Sequence, residues 1–398
     1  MSTLSTINST DNGTVSLTKV SNNFTALNTD KVETSVIDTD GTLTANSDSK
    51  LPSQKAVKTY VDTEISGVSS GASPFYNVKT DYSATGDGVT DDTAAIQEAL
   101  DDIGSGTDGE GGTLYFPPGI YLCSDTLDLG KQTIIAGSGK RNTIIKFTHT
   151  GDGIASTWDI NSSTAVYSGA KDISIFCTNG SNVGGGFADV GGTFITLSNV
   201  DINAFKYGVI FDQTEVSQIL DCNITNNLTA GVWLVNGDEH TVSASTQYTN
   251  RISILRCQFN LATGTCGVAD DGGTAHTISE NNFEGGAIGI HLSGCRNVNI
   301  RDNEFENQST VAIQCYNYSY SGSTNTAGCN VVNVLGNAIY PKTTSLECID
   351  NNSGLDRLII IGNYFGESTP ASVTGCAAIG SVTNYGNMKY GGGSITDA

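Results

Sequence analysis

Apolar residues recur in pairs along the second half of the chain, with the two members of each pair five positions apart. Seven pairs share one register, and their second members are separated by 22, 35, 24, 22, 34 and 26 residues. A short repeat of this kind predicts a solenoid whose coils stack strand upon strand. The intervals of 35 and 34 residues predict two insertions. The pairs are Leu197/Ile202, Ile219/Ile224, Ile254/Phe259, Ile278/Phe283, Ile300/Phe305, Val334/Ile339 and Ile360/Phe365.

The third position after the first member of each pair falls between the two predicted strands of a coil. The first three coils have Val200, Cys222 and Cys257 there, and the later coils have asparagine. Asparagine tolerates the left-handed backbone conformation that a sharp corner requires. We therefore predict an asparagine ladder along one bend of the solenoid. Its members are Asn281, Asn303, Asn337 and Asn363.

One amphipathic helix precedes the repeat, in the segment DDTAAIQEALDDI of residues 91–103. Thr90 is the predicted N-cap, and Asp91 and Asp92 are placed in the first turn, where carboxylates favour the positive end of the helix dipole. Two short strands should follow, Leu114–Phe116 and Ile120–Leu122, separated by a Pro-Pro-Gly turn. The apolar face of the helix consists of Ala95, Ile96, Ala99, Leu100 and Ile103.

Residues 77–129, which contain this helix and strand pair, resemble the N-terminal signature of the pectate-lyase-like right-handed β-helix family. That family includes phage tailspikes and many polysaccharide-degrading enzymes. In it the helix caps the first coil, so the resemblance implies a structural role for Asp91 and Asp92. The expected fold is all-β: a right-handed parallel β-helix with an N-terminal capping helix, preceded by a small, mainly helical and extended N-terminal region.

Residues 1–73 lack the strand repeat and should form a separate region, with the β-helix over 74–398. Two heptads of apolar residues predict a short coiled coil, and a second helix is expected after Pro52 with Ser53 as its N-cap. Helices this short are not stable alone, which favours association with copies of the chain; the alternative is a leader with transient helices. The apolar positions are Leu17, Val20, Phe24 and Leu27, then Val57, Tyr60, Val61 and Ile65.

The segment LTANSDSKLPSQKAVKTYVDTEI, residues 43–65, resembles the linker helix that recurs in bacteriophage tail fibres and tailspikes. This resemblance implies a homotrimer whose N-terminal region attaches to other tail or baseplate proteins. It also implies assembly in the host cytoplasm and a final location in the virion tail. The distal β-helix is then expected to contact a host-surface glycan.

The net charge of −22 with only 19 Lys and Arg argues against nucleic-acid binding. The same charge repels a polyanionic glycan unless a cation bridges the two, so a neutral or weakly charged partner is favoured. No apolar run is long enough to span a membrane, and the first residues lack the pattern of a signal peptide. The ten cysteines are expected to be free and buried, and the four histidines form no metal-binding motif.

The two insertions are the most promising place for a functional site, because loops on a rigid scaffold commonly bind ligands. They occupy residues 236–250 and 316–328, and each follows the strand that comes after an aligned pair. We expect them to leave the same corner of the solenoid, three coils or about 14 Å apart. Between these walls, residues 269–276 and 293–297 are expected to form the floor of a groove wide enough for a sugar.

The residue types in this predicted groove are those of a glycan site. Glu239 with Asp270 or Asp271 is the predicted catalytic pair, since carboxylates on neighbouring coils approach the spacing used by glycosidases. The predicted substrate-binding residues are His240, Tyr248, His276, Arg296, Tyr316, Tyr318 and Tyr320. Two structural alternatives remain: Asp-Asp-Gly-Gly is also an ordinary turn sequence, and a tyrosine-rich loop can pack against a neighbouring subunit.

Asp270, Asp271 and the downstream His291 match part of the polygalacturonase pattern, but the Gly-His-Gly and Arg-Ile-Lys segments of that group are missing, which counts against its activity. No metal site or cofactor is expected; only a lyase would need calcium. Three functions remain open: a tailspike or tail fibre that binds and degrades a host polysaccharide, one that binds without catalysis, and a structural tail adaptor. If there is an enzymatic activity, glycoside hydrolysis is favoured over lyase chemistry.

Overall fold

The computed structural model of the chain separates into two compact units, Met1–Ser73 and Pro74–Ala398. In the first unit, two helices and one short pair of parallel strands are described. The helices are Gly13–Thr29 and Gln54–Val68, and the strands are Ile37–Asp38 and Leu51–Pro52. The structure describes residues 6, 8, 10, 13–29, 37–38, 51–68, 75–104, 111–157, 166–236, 249–316, 329–340, 344–349, 357–366, 373–374 and 382–389.

Both predicted N-terminal helices are present, and the predicted cap of the second is confirmed: the Ala56 N–H donates to the Ser53 Oγ at 3.0 Å. In the first helix, two of the predicted heptad residues remain uncovered, since Leu17 is 72% exposed and Phe24 is 69% exposed. Val57, Tyr60 and Val61 of the second helix are also exposed. A single chain therefore leaves an apolar stripe on each helix facing solvent.

The second unit consists of parallel strands stacked in three columns, and each coil between the first and the last described contributes a strand to the first, second and third column in turn. Strands Gly169–Cys177 and Thr196–Asn203 run through the corner and belong to both of the first two columns. All pairings in this unit are between parallel strands, so the unit is a right-handed parallel β-helix, as predicted.

The strand bounds follow the columns. Besides the two long strands, the first column contains Phe75–Asn77, Gly112–Phe116, Thr133–Gly137, Gln218–Leu220, Ser253–Leu255, Thr277–Ser279, Val298–Arg301, Val331–Leu335, Arg357–Ile361 and Val382–Tyr385. The second contains Asp87–Asp91, Gly119–Cys123, Thr143–Phe147, Asn223–Thr225, Gln258–Leu261, Asn282–Gly285, Glu304–Glu306, Ala338–Tyr340, Tyr364–Phe365 and Met388–Lys389. The third contains Leu127–Asp128, Ile154–Thr157, Gly185–Val190, Tyr207–Asp212, Ala230–Val235, Cys266–Asp271, Ile288–Ser293, Val311–Tyr316, Thr344–Ile349 and Val373–Thr374.

The seven apolar pairs identified in the sequence are stacked as predicted. Each first member lies beside the first member of the next coil, from Leu197 to Ile360, and the second members pair in the same way from Ile202 to Phe365. Their side chains are buried and form a continuous core along the coils. The 22-residue repeat therefore sets the register of the fold, and the two long intervals are insertions.

The asparagine ladder is present, but its conformation differs from the prediction. The left-handed residue of each bend is the one before the asparagine, with φ between 57° and 65° at Glu280, Asp302, Gly336 and Gly362. The prediction that the asparagines themselves are left-handed is therefore wrong. The backbone turns one residue earlier, and this directs the following side chain into the coil, where it serves as a hydrogen-bonding group.

Each amide in the ladder binds backbone and side-chain groups of neighbouring coils. The Asn303 Oδ1 accepts the N–H of Asn281 at 3.0 Å, and the Asn303 Nδ2 donates to the Ile278 carbonyl at 2.9 Å and to the Asn337 Oδ1 at 3.0 Å. Cys257 holds the same position one coil before Asn281, and its thiol donates to the Ile219 carbonyl. Eight cysteines have described side chains, and all eight are free and buried, as predicted.

The predicted capping helix is Thr93–Gly104, and it packs against strands at the start of the β-helix through buried Ile96, Ala99, Leu100 and Ile103. It begins later than expected, because residues 87–91 extend as a strand that pairs with Gly119–Cys123. The predicted N-cap at Thr90 is therefore wrong. Asp92 stands at the cap position, and its carbonyl accepts the Ile96 N–H at 3.0 Å.

Both aspartates of this segment serve the architecture. The Asp92 carboxylate accepts the N–H groups of Thr85 and Gly86, and the Asp91 carboxylate accepts the N–H of Thr93 and the Ser124 hydroxyl. These hydrogen bonds hold the Thr-Gly-Asp-Gly turn and the first coil together. They agree with the structural role that the family resemblance implied.

Candidate functional site

The two insertions leave the β-helix from one edge of the third column. They follow the strands Ala230–Val235 and Val311–Tyr316. Two further strands of the same sheet, Cys266–Asp271 and Ile288–Ser293, separate these two. The predicted common edge and three-coil spacing are therefore confirmed for the points at which the chain departs, about 14 Å apart at the usual strand separation.

Five of the residues predicted to line the walls lie outside the described part of the chain: Glu239, His240, Tyr248, Tyr318 and Tyr320. Tyr316 is the last residue of its strand, and its backbone pairs with that of Ser293 in the preceding coil. The roles predicted for these six residues stay predictions. The predicted floor residues are Asp270, Asp271, His276 and Arg296, and all four are described.

Asp270 points into the β-helix and is completely enclosed. Its Oδ1 accepts the N–H of Gly273 at 2.9 Å, and a Cβ on Gly273 would come within 2.5 Å of that oxygen, so only glycine fits there. The same turn occurs three coils earlier, where the Asp189 Oδ2 accepts the Gly192 N–H at 3.0 Å. The turn alternative left open by the sequence is thus the one that Asp270 adopts.

His276 is also fully enclosed, and its Nδ1 accepts the Ile252 N–H at 3.0 Å. This bond places the proton of the neutral ring on Nε2, which lies 3.7 Å from the Asp270 Oδ2. Burial raises the pKa of Asp270 to about 8 and lowers the pKa of His276 to about 3, so both groups are predominantly neutral near pH 7. The prediction that these two side chains form the floor of an open groove is wrong in this structure.

Asp271 points to the outer face of the same sheet, because successive side chains of a strand alternate between faces. It is 7% exposed, and its Oδ2 accepts the indole N–H of Trp233 at 2.8 Å. The Trp233 ring stacks on Tyr207, with centroids 4.6 Å apart. The Asn236 side chain, at the start of the first insertion, donates to the Asp271 carbonyl at 3.2 Å. Asp271 therefore lies on an outward-facing surface beside the root of that insertion.

A row of outward-facing side chains crosses the sheet between the insertions, and most of it is covered: Trp233 and His291 are each 4% exposed, Ala269 is fully buried and Gln314 is half-buried. Trp233, Ala269, His291 and Gln314 are successive partners in the parallel register. The His291 Nδ1 lies 3.1 Å from the Gln314 Oε1 and must be the donor, because an amide oxygen only accepts.

We define the outer-face site as Trp233, Asp271, His291 and Gln314. Of these four residues, the sequence predicts only Asp271 as a site residue, and His291 enters only as part of the polygalacturonase pattern. The other two could have been found by aligning the strands that follow the apolar pairs, since their outward positions then fall in one row. Arg296 is exposed on the neighbouring corner, where it bridges to Thr274 of the preceding coil.

Within the described residues, no group of three or more His, Cys, Asp or Glu side chains is placed to hold a metal ion. Nor is any helix there long and apolar enough to cross a membrane. The outer-face site itself combines an indole ring, a carboxylate, an imidazole and an amide, joined in pairs by hydrogen bonds. Such groups are the means by which proteins bind and cleave sugars.

A family comparison agrees with this architecture. Residues 75–336 match the family model described as rhamnogalacturonase A/epimerase, pectate lyase-like. The chain belongs to this pectate-lyase-like family. The match begins at the first strand of the β-helix and covers both the outer-face site and the two insertions, so the resemblance inferred from residues 77–129 is confirmed.

Three proteins illustrate the neighbours of this pectate-lyase-like chain. It is 25% identical over 324 residues to the preneck appendage proteins of Bacillus phages PZA and phi29, across 73% of this chain and 36% of each relative. The chain thus spans about a third of the length of these curated relatives. The tailspike protein of Acinetobacter phage vB_ApiP_P1 shares the fold with a TM-score of 0.58 and 16% identity, over 82% of this chain and 61% of that one.

Proposed function

We propose that this protein belongs to a phage tail appendage or tailspike and binds a polysaccharide on the host surface. The single observation behind the proposal is the outer-face site, where a tryptophan, a carboxylate, an imidazole and an amide share one surface of a rigid sheet between two insertions. Similarity to phage preneck appendage proteins supports the tail location. The protein would accordingly be assembled in the host cytoplasm and be located in the tail of the virion.

Glycan cleavage is the enzymatic form of this proposal. Glu239, at the start of the first insertion, would pair with Asp271, which the strand places beside the root of that insertion. One carboxyl group would protonate the leaving oxygen and the other would act as base or nucleophile. His240, Tyr248, Arg296, Tyr316, Tyr318 and Tyr320 are the proposed sugar-binding residues around them, and no cofactor is required.

Receptor binding without catalysis is the second candidate. The Asp271 carboxylate accepts the Trp233 indole N–H, and this hydrogen bond fixes the buried Trp233 ring, which stacks on Tyr207 beneath the surface that a sugar would contact. A carboxylate engaged in this way can serve as a positioning residue rather than as an acid or base. A structural adaptor for another fibre would need no glycan contact at all.

The test is a binding and reducing-end assay with capsular polysaccharide and lipopolysaccharide purified from the phage's host. If the chain is a glycosidase, Glu239→Gln and Asp271→Asn should each lower release of reducing ends by about 10²–10⁴-fold. Asp270→Asn separates the two pairings left open by the sequence, and we expect it to leave the rate unchanged because Asp270 is enclosed.

The outcomes distinguish the three functions. Binding without new reducing ends supports the non-enzymatic receptor. New absorbance from unsaturated uronates would indicate a lyase. The dependence of that activity on calcium would then be measured. If neither polysaccharide nor intact host cells are bound, glycan recognition is contradicted and the adaptor is favoured.

A homotrimer formed through the N-terminal region is part of the same proposal. Exposed Leu17 and Phe24 lie at heptad positions of helix Gly13–Thr29, and burial of such residues between helices is what makes short coiled coils stable. The N-terminal region would also attach the protein to the rest of the tail.

Replacing both apolar residues, Leu17→Asp with Phe24→Asp, should abolish the trimer by placing like charges in its seam. Analytical ultracentrifugation of the full chain should then show a fall from three chain masses to one, with a chain mass of 41.4 kDa. The control is Thr18→Asp with Thr25→Asp, two exposed positions of the same helix off the apolar stripe. A wild-type chain that sediments as a monomer would contradict the proposal directly.

A further inference from the structure

A second surface lies on the corner between the third and first columns, where seven successive coils turn through a left-handed residue. Its N–H donates to a carbonyl of the next coil, as Tyr167 does to Thr193 and Phe194 to Glu215, both at 3.2 Å. The turn at this corner therefore explains why the backbone of these residues is left-handed. The residues in this corner row are Gln132, Tyr167, Phe194, Val216, Arg251, Ala275 and Asn297, with φ between 50° and 62°.

The corner does not explain the residue types at two of these positions. Bulky side chains are unusual in the left-handed region, where asparagine and glycine are the favoured residues. Yet Tyr167 and Phe194 occupy adjacent coils and remain 53% and 39% exposed. Their rings are stacked, with centroids 4.6 Å apart and planes 5° apart. In contrast to the enclosed phenylalanines of the core, this pair places aromatic surface in contact with water.

The aromatic pair lies on the same edge of the β-helix as the insertions. Phe194 and Val216 occupy successive coils, and the next residue in the row is Arg251, which directly follows the first insertion. Phe194 is thus two coils, or about 10 Å, from that insertion, and Tyr167 is about 14 Å away. A chain molecule bound along this edge would meet the aromatic pair and the insertions in sequence.

The chemistry of the edge fits a sugar. The C–H face of a pyranose stacks on aromatic rings, and hydroxyl groups need hydrogen-bonding side chains nearby. Arg251 provides such a group in the corner row. Beside it runs a row of residues joined by β-bridges between coils, where Glu215 and Arg296 provide others. Because Tyr167 and Phe194 cover one face of each other, their remaining faces and ring edges are the surface available to a ligand.

We infer that Tyr167 and Phe194 form an accessory subsite that stacks against a neutral or weakly charged hexose unit of the polysaccharide. The subsite extends the binding surface along the edge, towards the capping helix. This inference rests on the proposed function, since it assigns part of the same glycan to new residues. The net charge of −22 disfavours a polyanionic chain at this position. The competing occupant is a second copy of the chain.

The test uses the full chain and a printed array of purified bacterial capsular and O-antigen polysaccharides. Tyr167→Asn with Phe194→Asn removes the rings but keeps residues suited to the left-handed corner. We expect at least tenfold weaker binding to the polysaccharides that the wild-type protein recognises, with a melting temperature equal to or above that of the wild type. A purely structural pair would give a lower melting temperature instead.

Two matched variants complete the experiment. Phe194→Tyr keeps the stacked pair and should bind like the wild type, and Tyr385→Ala removes a tyrosine that is 75% exposed on the last described coil without affecting binding. If the double asparagine variant binds as tightly as the wild type, the subsite is wrong and the proposed function stands. If it changes the sedimentation mass, the pair is an interface between copies and the inference is overturned. If the wild type binds nothing on the array, both proposals fail.

Discussion

Asn303→Ala should be among the most destabilising single substitutions in the β-helix. The Asn303 side chain makes hydrogen bonds to the coil before it and to the coil after it, and it is buried. Alanine would leave the Asn281 N–H and the Ile278 carbonyl without these partners. Because each buried polar group left unsatisfied costs about 1–3 kcal/mol, a loss of roughly 2–6 kcal/mol in the free energy of unfolding is expected. Urea denaturation followed by circular dichroism measures it.

The matched control is Asn333→Ala. The Asn333 Nδ2 donates to the Asn299 Oδ1 at 2.8 Å, so it also forms a bond between asparagines of adjacent coils. That pair is only half-buried, and water can replace either partner. We expect its removal to cost less than about 1 kcal/mol. Equal effects of the two substitutions would show that the interior ladder does not hold the coils together.

The ladder also shows what the sequence could and could not predict. Inward apolar pairs were sufficient to fix the register of seven coils, because burying one face of a strand specifies its pairing strongly. The same alignment found the asparagines. It could not give their conformation, since the residues that turn the chain are as different as Glu280, Asp302 and Gly336, and only their backbone is shared.

The candidate site was harder to predict for a related reason. Asp270 and Asp271 are adjacent in sequence and were placed together, yet they lie on opposite faces of one strand. The repeated segments Ala-Asp-Val-Gly-Gly and Ala-Asp-Asp-Gly-Gly, at 188–192 and 269–273, were the signal that the first aspartate is structural. Recognition of the outer-face row needed an alignment of its third-column strands, each of which follows the second member of an apolar pair.

The enclosed Asp270 gives a pH-dependent prediction. Its pKa rises from 3.8 to about 8 on folding because burial disfavours the charged form. Because the pKa of Asp270 is higher in the folded state than in the unfolded state, its contribution to stability is complete below about pH 4. That contribution is lost progressively as the pH rises to about 8. Asp270→Asn removes this ionisation and retains an oxygen that can accept the Gly273 N–H. The stability of the variant relative to the wild type should therefore rise between pH 4 and pH 8, by up to about 6 kcal/mol.

Melting temperatures of both proteins across this range test the prediction. His276 has the opposite dependence: its pKa is lowered to about 3, so its contribution is present above about pH 6.5 and is lost as the pH falls towards 3. Both proteins contain His276, so subtracting one curve from the other isolates Asp270. A difference that stays constant from pH 4 to pH 8 would contradict the assignment of a buried, neutral carboxyl group.

Asp189→Asn provides the contrasting control in the same kind of turn. The Asp189 carboxylate accepts the hydroxyls of Ser156 and Thr214 in addition to the Gly192 N–H. An amide there keeps only one acceptor oxygen and is uncharged, so one of the two hydroxyls must reverse its role and the charge-assisted hydrogen bonds are lost, which should destabilise the protein. The two substitutions are chemically identical and occupy equivalent buried positions. If their effects on the free energy of unfolding have opposite signs near pH 8, hydrogen-bond donors, rather than burial alone, decide whether a carboxylate is tolerated inside the coil.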